Sequence, residues 1–477
     1  MKATAKTTTN FRWFICTMLF FATTINYMDR QVLSLTWANN IAPEFHWTNN
    51  DYGNVTALFS IFYAISMLIA GPLIDWLGTK KGFLWAIGIW SLGACLHAFS
   101  GIFTAGYITG EWVFSFSGAK EIIEGIGEVG TVVSISVTFF IFSRLVLAFG
   151  EAGNFPAAIK TTAEYFPKKD RALATSIFNA GATVGALGAP LTIPFIANAY
   201  GWEMAFILIG ALGFIWMGVW IFVYDKPETH KRVSKDELAY IQQDNDMDEP
   251  TADGKKRGVN ILKCFNHKQT WVFLVGKFMT DGVWWFFLFW TPAYLSAIYD
   301  MNDTETALPL FILYAITLLA IIGGWLPSYF VNKGKEPYDA RMKSMFIFAL
   351  FPLLTLFAQP LGQITYWIPI VIIGIAGAAH QSWSANIFSV VGDLFPRRAI
   401  ATITGIGGLA GGIGSFFINK GSGMLFDYSK NTQMTFLGFK GEEAGYFIIF
   451  CVCAVAYMIA WVVMKSLLPK YEPVTDL

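Results

Sequence analysis

Charged residues and cysteines are scarce in this chain. Asp, Glu, Lys and Arg make up 14% of the 477 residues, against about 25% in soluble domains. The 33 basic and 33 acidic side chains cancel, which removes the electrostatic attraction that nucleic-acid binding needs. The five cysteines and five histidines show neither the pattern of a disulfide scaffold nor the spacing of a metal site. We therefore expect that the protein binds no metal, no cofactor and no nucleic acid, and that it is not an enzyme.

Apolar and aromatic residues are abundant instead. Hydrophobic residues make up 55% of the chain and aromatic residues 17%, with 44 Phe and 18 Trp. The mean hydropathy is +0.50. A soluble protein of this length could not hide so much apolar surface in its interior. The composition therefore predicts a polytopic membrane protein and disfavours a soluble enzyme or a disordered chain.

Apolar stretches long enough to cross a bilayer recur from end to end. They predict an all-α protein with twelve transmembrane helices, the first being a retained helix and not a cleaved signal peptide. The predicted spans are residues 12–37, 52–74, 82–103, 137–160, 170–198, 203–224, 270–298, 306–331, 342–360, 365–392, 399–426 and 444–467.

Two segments do not fit this regular pattern. Residues 104–136 carry four Glu side chains and one Lys, and we interpret them as an extracytoplasmic insertion between spans 3 and 4. A re-entrant or interfacial helix is the alternative. A second insert covers about 427–443, and neither insert has an assigned role.

The distribution of Lys and Arg between loops gives an orientation. Loops on the same side of the membrane as the N-terminus carry most of these residues. Loops on the opposite side carry only Lys120, Lys430 and Lys440. Because basic loops stay inside, we expect both termini to be cytoplasmic and the protein to lie in the inner membrane. The polar segment 225–269, which has room for an amphipathic helix, is then a cytoplasmic linker between two six-helix halves, 1–224 and 270–477.

The two halves also repeat in sequence. Phe166-Pro167 matches Phe395-Pro396 at an offset of 229, and in both copies basic residues and a Gly/Ala-rich span follow. Two parallel six-helix repeats joined by a linker are an architecture that transporters use, with the substrate held between the halves. The predicted fold is therefore two pseudo-symmetric halves of six helices each.

Charged residues inside predicted spans mark the candidate site. Span 1 contains Asp29 and Arg30, and span 4 contains Arg144 and Glu151. Each costs about 2.5–3.5 kcal/mol at the bilayer centre, so we expect these four residues to pair across the contact between spans 1 and 4. Arginine would supply a fixed cation for an anionic substrate, and the carboxyls could carry protons. Structural salt bridges are the alternative. Other charged or titratable residues in the spans are Lys277, Asp281, His380 and Lys420.

A loop motif resembles a known signature. Gly71, Asp75 and Gly78, followed by two lysines, resemble the loop 2–3 motif of the major facilitator superfamily. The usual basic residues are replaced by Trp76 and Thr79. The resemblance implies a gating role for Asp75, Gly71 and Gly78, and Asp75 could also cap a neighbouring helix end.

Within that superfamily the chain most resembles the anion:cation symporters, and among them hexuronate permeases. The resemblance rests on Asn26 to Arg30 in span 1, Arg144 to Ala157 in span 4, Tyr165 to Pro167, and His380 to Ser382 in span 10. It implies that Arg30 binds the substrate carboxylate, that Asp29 and Glu151 carry protons, and that Arg144 modulates them. Further substrate contacts implied are Tyr27, Tyr63, Asn179, His380, Gln381, Ser382, Trp383 and Asn386, with Trp284 and Trp285 as additional stacking residues.

The resulting hypothesis is import of a hexuronate or related sugar acid by proton symport through alternating access. We expect a small anionic substrate, protons and the lipid bilayer as partners, and a monomer. Three alternatives stay open: an exchanger of organic anions or phosphate esters, a sodium-coupled symporter, and a membrane-embedded enzyme or channel. The last would need a metal cluster, a nucleophile constellation or a filter, and the sequence shows no such pattern. His380 could equally be a packed core residue.

Overall fold

The computed structural model describes residues 9–243, 261–475 and 477, and nearly all of them are helical. The helices of the first half and the linker are α1 (Phe11–Thr36), α2 (Ala42–Phe45), α3 (Asn49–Leu77), α4 (Thr79–Ala98), α5 (Ser100–Thr109), α6 (Phe116–Glu124), α7 (Val129–Glu151), α8 (Asn154–Tyr165), α9 (Lys168–Tyr200), α10 (Trp202–Val223), α11 (Lys235–Gln242) and α12 (Ile261–Cys264). The second half contains α13 (Lys268–Tyr299), α14 (Ala307–Ile316), α15 (Ile322–Asn332), α16 (Pro337–Leu350), α17 (Ala358–Gly362), α18 (Trp367–Leu394), α19 (Arg397–Thr432), β1 (Thr435–Phe436), β2 (Phe439–Lys440) and α20 (Glu442–Leu467).

The helices account for all twelve predicted spans. Within the described residues, nine helices are long and apolar enough to cross a membrane, and the pair α4 and α5, bent by 57°, makes a tenth. Helices α1 and α19 complete the twelve and have the length to span at 26 and 36 residues. Buried charges in α1 and glycines in α19 lower their mean hydropathy below that of the other spans.

The helices form two bundles, and three helix pairs make the main contacts between them. Helices α1 to α10 make the N-terminal half and α13 to α20 the C-terminal half. Helix α3 packs along α19, α9 packs on α14, and α1 on α13. The space between the bundles is therefore lined by helices of both halves, which agrees with the predicted architecture.

The sequence repeat has a matching backbone geometry. Helices α8 and α18 both end at an extended Phe, with φ −127° at Phe166 and −116° at Phe395. A proline with φ −63° follows in each case and precedes the long helix α9 or α19. Proline fixes φ near this value and cannot continue the preceding helix, so the same two residues end one span and begin the next.

One end of the bundle, which we name the insertion end, carries both inserts. The predicted insertion 104–136 is shorter than expected, because α5 continues to Thr109 and α7 already begins at Val129. Between them lies the amphipathic helix α6, which buries Ala119 and Ile123; this arrangement matches the interfacial-helix alternative better. In the second insert α19 extends to Thr432 and a two-stranded hairpin precedes α20.

The opposite end, the linker end, holds the start of α1 and the linker helices. Glu237 of α11 is fully buried. Its carboxylate accepts hydrogen bonds from the backbone of Phe11 and Arg12 and forms an ion pair with the Arg12 side chain at 3.1 Å. The linker thus fixes the first turn of α1. The basic run Lys255 to Arg257 lies outside the described residues.

Candidate functional site

Close helix crossings bring the predicted charges together. A Cβ on Gly150 of α7 would collide with the backbone of Trp90 in α4, and one on Gly93 would collide with Leu147. On the other side of α1, Gly181 and Gly185 of α9 touch its backbone in the same way. Glycine at such crossings lets helices approach closely. Glu151, which follows Gly150, is thereby held inside the bundle within reach of α1.

Arg30 and Glu151 form a buried ion pair. The Nε and Nη2 groups of Arg30 both donate to Oε2 of Glu151, at 3.0 and 2.7 Å. The side chains are 5% and 0% exposed. No group of the described chain bonds the second oxygen, Oε1. The predicted contact between spans 1 and 4 is therefore present, and one glutamate oxygen takes both donors of the guanidinium.

Four aromatic rings surround the Arg30 guanidinium. Its Cζ lies 4.6 Å from the ring centroid of Tyr63, 5.1 Å from Tyr27, 5.3 Å from Trp285 and 6.0 Å from Phe59. Such distances allow cation–π attraction, which strengthens where water is excluded. Trp285 belongs to α13, so the guanidinium lies where the two halves meet. We name Arg30 with these four rings the arginine cage.

The other two charges are only partly paired. The Nη2 group of Arg144 lies 3.5 Å from the backbone oxygen of Arg30, and its Cζ lies 5.0 Å from the Phe59 ring. Nε and Nη1 of Arg144 and both carboxylate oxygens of Asp29 have no hydrogen-bond partner among the described residues. The expectation that all four charges pair directly is therefore wrong for Asp29.

Most predicted contacts in span 10 hold helices together instead of facing the cage. The Ser382 hydroxyl donates to the backbone of Ala378, and the Asn386 amide donates to the oxygen of Gly323 in α15, both within 2.9 Å. The structure thus gives Ser382 and Asn386 roles in packing α18 on its neighbours. Their donor groups already bond backbone oxygens, which argues against the predicted role in substrate binding.

His380 and Trp383 are likewise packed inside the C-terminal half. The Nδ1 atom of His380 lies 2.7 Å from the Tyr457 hydroxyl, and its ring stacks on Trp284 at 5.3 Å. Trp383 is fully buried against Tyr457. The alternative reading of His380 as a core residue fits this geometry. Gln381 is half-buried and lies on another face of α18, and Asn179 is exposed on α9.

The loop motif has a local role in the N-terminal half. Asp75 is mostly exposed and pairs with Lys160 of α8 at 2.9 Å, so in this structure it does not cap a helix end. Gly78 has φ +78°, a conformation that favours glycine, and it joins α3 to α4 in a single residue. Gly71 has open space on its Cβ side.

Sequence reasoning missed a set of polar contacts between the halves at the insertion end. Asp303 accepts hydrogen bonds from the Asn39 and Asn40 amides, and Asp427 accepts from the backbone of Asn49 and Asn50 at the start of α3. We name this set the insertion-end latch; its members are Asn39, Asn40, Asn49, Asn50, Asn54, Asp303, Lys420 and Asp427. The one available signal was Lys420, whose ammonium binds Asn50 at 2.8 Å and Asn54 at 2.5 Å.

Two properties of the latch bear on its behaviour. Burial raises the pKa of Asp303 to about 6, against the lowering effect of the two asparagine hydrogen bonds. A cavity of about 600 Å³ is lined by latch residues such as Asn49 and Asp427 together with Trp37 and Glu442. This cavity lies beside the latch and none of its lining residues belongs to the arginine cage, so we place the candidate substrate site at the cage, where the buried charges are.

Fold and site together define a class of protein: a multi-pass helical membrane protein with buried charges between two halves. The sequence profile of the Major Facilitator Superfamily matches residues 19–418, and the chain belongs to that family. The hexuronate transporter of Escherichia coli strain K12 is 26% identical over 423 residues, covering 87% of this chain and 88% of its own. The galacturonate transporter of Dickeya chrysanthemi is 26% identical over 67% of this chain and 82% of its own. The chain is thus a transporter related to sugar-acid transporters.

Solved structures agree on the fold. A bacterial homologue of the human lysosomal transporter Spinster, in an inward-facing occupied conformation, superposes with a TM-score of 0.68 at 17% identity, covering 98% of this chain and 100% of its own. The D-xylose–proton symporter gives 0.65 at 16% identity, covering 97% and 98%. The predicted twelve-helix, two-half architecture is confirmed.

Proposed function

We propose that the chain imports a hexuronate or related sugar acid by proton symport through alternating access. The observation that carries this proposal is the Arg30–Glu151 pair inside the arginine cage. It places one permanent cation and one titratable carboxyl in direct contact at the boundary of the two halves. Its relation to transporters of hexuronate and galacturonate supports the substrate class.

The geometry suggests how proton and substrate are coupled. The two donors that Arg30 gives to Glu151 are those that a guanidinium offers to a carboxylate in a forked, two-bond contact. The substrate carboxylate and ionised Glu151 therefore compete for the same N–H groups. A proton on Glu151 removes its charge and releases Arg30 to the substrate. Asp29, which lacks a hydrogen-bond partner within the described chain, is a second position for a proton.

The surrounding side chains account for recognition of a sugar. Tyr27, Tyr63 and Trp285 already contact the guanidinium face-on, and aromatic faces also suit the C–H face of a sugar. Gln381 and Asn179 keep amides available for hydroxyl groups. Ser382 and Asn386 act one step away, by fixing α18 against α15.

The remaining features complete the proposal. The protein acts as a monomer in the inner membrane, with the linker end in the cytoplasm. Asp75, Gly71 and Gly78 take part in gating at that end. In the conformation described here the insertion-end latch joins the halves, so substrate exchange occurs toward the linker end.

Uptake by reconstituted vesicles tests the proposal. Labelled galacturonate is added to vesicles containing the purified chain, with and without an imposed proton gradient. We expect accumulation only when the outside is acidic, and Arg30→Ala should abolish it. The matched control is Arg232→Ala, because Arg232 is exposed in the linker. Accumulation that survives loss of Arg30 would overturn the assignment.

The same vesicles separate the two transport alternatives. An exchanger would show counterflow of labelled substrate without acidification of the lumen. A sodium symporter would show uptake that follows the sodium gradient at fixed pH. Either result, with no response to the proton gradient, would replace proton symport while leaving the arginine cage as the anion site.

A further inference from the structure

A second pair of charges lies inside the membrane bundle, on α13. The Lys277 ammonium and the Asp281 carboxylate are 2.6 Å apart, one helical turn from each other, and their side chains are 8% and 15% exposed. Because both residues belong to one helix, their bond fastens no helix to another. Two charges kept at this depth are costly, and the packing of the bundle does not explain them.

The pair lies next to the arginine cage. Trp285, whose ring covers Arg30, follows Asp281 by one turn of the same helix. At 1.5 Å per residue, Asp281 lies about 6 Å and Lys277 about 12 Å along the axis from Trp285. A ligand whose carboxylate is bound by Arg30 would therefore direct its far end toward Asp281.

The Asp281 carboxylate packs directly against a glycine of α19. Gly411 of α19 lies directly opposite Asp281, and a Cβ at this position would collide with the carboxylate. A glycine at this point keeps the Asp281 oxygens free of side-chain contact from α19. Asp281 is the more exposed member of the pair, at 15% against 8% for Lys277.

Lys277 reaches toward α18 of the same half. Its ammonium lies 4.7 Å from the ring centroid of Phe388 in α18. Helix α18 buries one face against α15 through Asn386 and another against α20 through Trp383. Its remaining face is exposed or half-buried and consists of Gln381, Ala385 and Phe388. Lys277 contacts this face of α18 through the Phe388 ring, and Gln381 belongs to the same face.

We propose that Lys277 and Asp281 form a hydroxyl subsite, which binds the end of the sugar acid remote from its carboxylate. The Asp281 carboxylate accepts hydrogen bonds from neighbouring hydroxyls, and the Lys277 ammonium donates to a hydroxyl oxygen. The pair is neutral overall, so it suits an uncharged end of the ligand. A second carboxylate at that end would meet the charge of Asp281.

The subsite therefore selects monocarboxylic sugar acids over dicarboxylic ones. This inference rests on the proposed function, since it assumes that Arg30 holds the first carboxylate. It adds the specificity of the site: one cation for one acid group, and a neutral pair that rejects another. Galacturonate and galactarate are suitable probes, because they differ by a second carboxylate at C1.

Equilibrium binding to the purified full chain tests the subsite, with labelled galacturonate and unlabelled galactarate as competitor. The wild type should prefer galacturonate. Asp281→Asn should lower the affinity for galacturonate about 10- to 100-fold, the range for loss of a charged hydrogen bond. It should raise the affinity for galactarate, because Lys277 loses its partner. The matched control, Asp339→Asn, removes an exposed partner of Lys465 on α16 and should change neither affinity.

A second variant keeps the test decisive if Asp281→Asn folds poorly. In the double variant Lys277→Gln/Asp281→Asn no unpaired charge remains. Galacturonate should therefore bind weakly, and the affinity for galactarate should not rise. Unchanged selectivity in both variants would overturn the subsite. Binding of galacturonate that depends on Arg30 but not on Asp281 would overturn the subsite alone. Failure of the wild type to bind either acid would overturn the proposed function with it.

Discussion

At the scale of single residues, the central feature is that one carboxylate oxygen takes both inner donors of Arg30. A buried arginine that loses its partner is strongly destabilised, so in the proposed mechanism the substrate anion takes the place of Glu151 when a proton neutralises that carboxylate. In the proposed mechanism, this exchange of partners couples substrate binding to protonation. The coupling can be removed by making position 151 permanently neutral.

Glu151→Gln should therefore separate binding from proton coupling. We expect uptake driven by a proton gradient to be lost, while counterflow of labelled substrate continues. Substrate affinity near neutral pH should rise about tenfold, since the removed competitor is a charged hydrogen-bonding group worth about 1.5 kcal/mol or more. Radiolabel uptake and counterflow in the same vesicles measure both.

Glu111→Gln is the control for this variant, because Glu111 is exposed near the insertion. It should behave as the wild type in both assays. Concentrative uptake by Glu151→Gln at the wild-type rate would show that Glu151 carries no coupling proton, and would leave Asp29 as the remaining candidate.

The sequence predicted the charged residues of the candidate site in part. Arg30, Arg144 and Glu151 could be identified because a charged residue within an apolar run is costly in a bilayer, and such a residue is visible without coordinates. The sequence could not predict that Asp29 lacks a direct partner, since this depends on the rotation of α1 about its axis. The same limit explains why Ser382 and Asn386 seemed suited to sugar hydroxyls, whereas their donors bond backbone oxygens.

At the scale of elements, glycine crossings set the position of the charges. Helices α4 and α7 touch at Gly150, where even one methyl group would meet the Trp90 backbone. Span boundaries could be predicted from apolar runs and from Phe-Pro pairs, but crossings could not, because a glycine in a helix has the same appearance in sequence whether or not another helix touches it.

Gly150→Ala should destabilise the protein by about 1–3 kcal/mol, the usual cost of overpacking a tight contact. It should also impair substrate binding, because it displaces Glu151 from Arg30. Thermal unfolding in detergent and labelled-substrate binding measure the two effects.

The control lies on the same helix: Gly130 has nothing within 4 Å of its Cβ direction. Gly130→Ala should leave stability unchanged or slightly higher, since alanine favours helix over glycine. Equal melting temperatures for the two variants would contradict the assigned crossing.

A second element-level feature is the contact of Asp303 with the residues that follow α1. In the closed latch its pKa is raised to about 6 by burial, from an ordinary value of 3.8. The state with the higher pKa binds the proton more strongly, so acid stabilises the closed latch relative to an open one. The gain develops as pH falls through about 6 and is complete below 3.8; above pH 6 the buried carboxylate is ionised and the latch is weaker.

Spin labels on opposite halves at the insertion end, at Tyr200 and Asn431, should report this change. Both positions are exposed. We expect the short distance to become more populated between pH 7 and pH 5 in the wild type, and this part of the response to disappear in Asp303→Asn. Glu305→Gln, in the same loop, should retain the full response; an identical pH profile for Asp303→Asn and the wild type would contradict the role of Asp303.

At the scale of the whole molecule, the two halves are alike in backbone and unlike in charge. The repeat gives both halves the same span boundaries, yet the partly paired charges lie in the N-terminal half and the self-neutralised Lys277–Asp281 pair lies in the C-terminal half. Under the two proposals above, a substrate bound between them is held by one half through its charge and by the other through its hydroxyls. Closure over such a ligand requires both halves to approach it. The latch controls this approach at the insertion end only.

Fixing the latch should therefore stop transport without stopping binding. Asn40 and Asp303 are in direct side-chain contact, so cysteines at these positions can be joined by a short bifunctional thiol reagent once the five native cysteines are replaced. Joining them holds the insertion end shut while the linker end stays accessible. We expect uptake to fall to background, galacturonate binding in detergent to persist, and uptake to return when a reducible reagent is cleaved.

The single variants Asn40→Cys and Asp303→Cys, treated identically, should transport as before. If fully cross-linked protein still accumulates substrate, the halves do not need to separate at this end, and the alternating access that follows from the two-half fold would not operate through the latch.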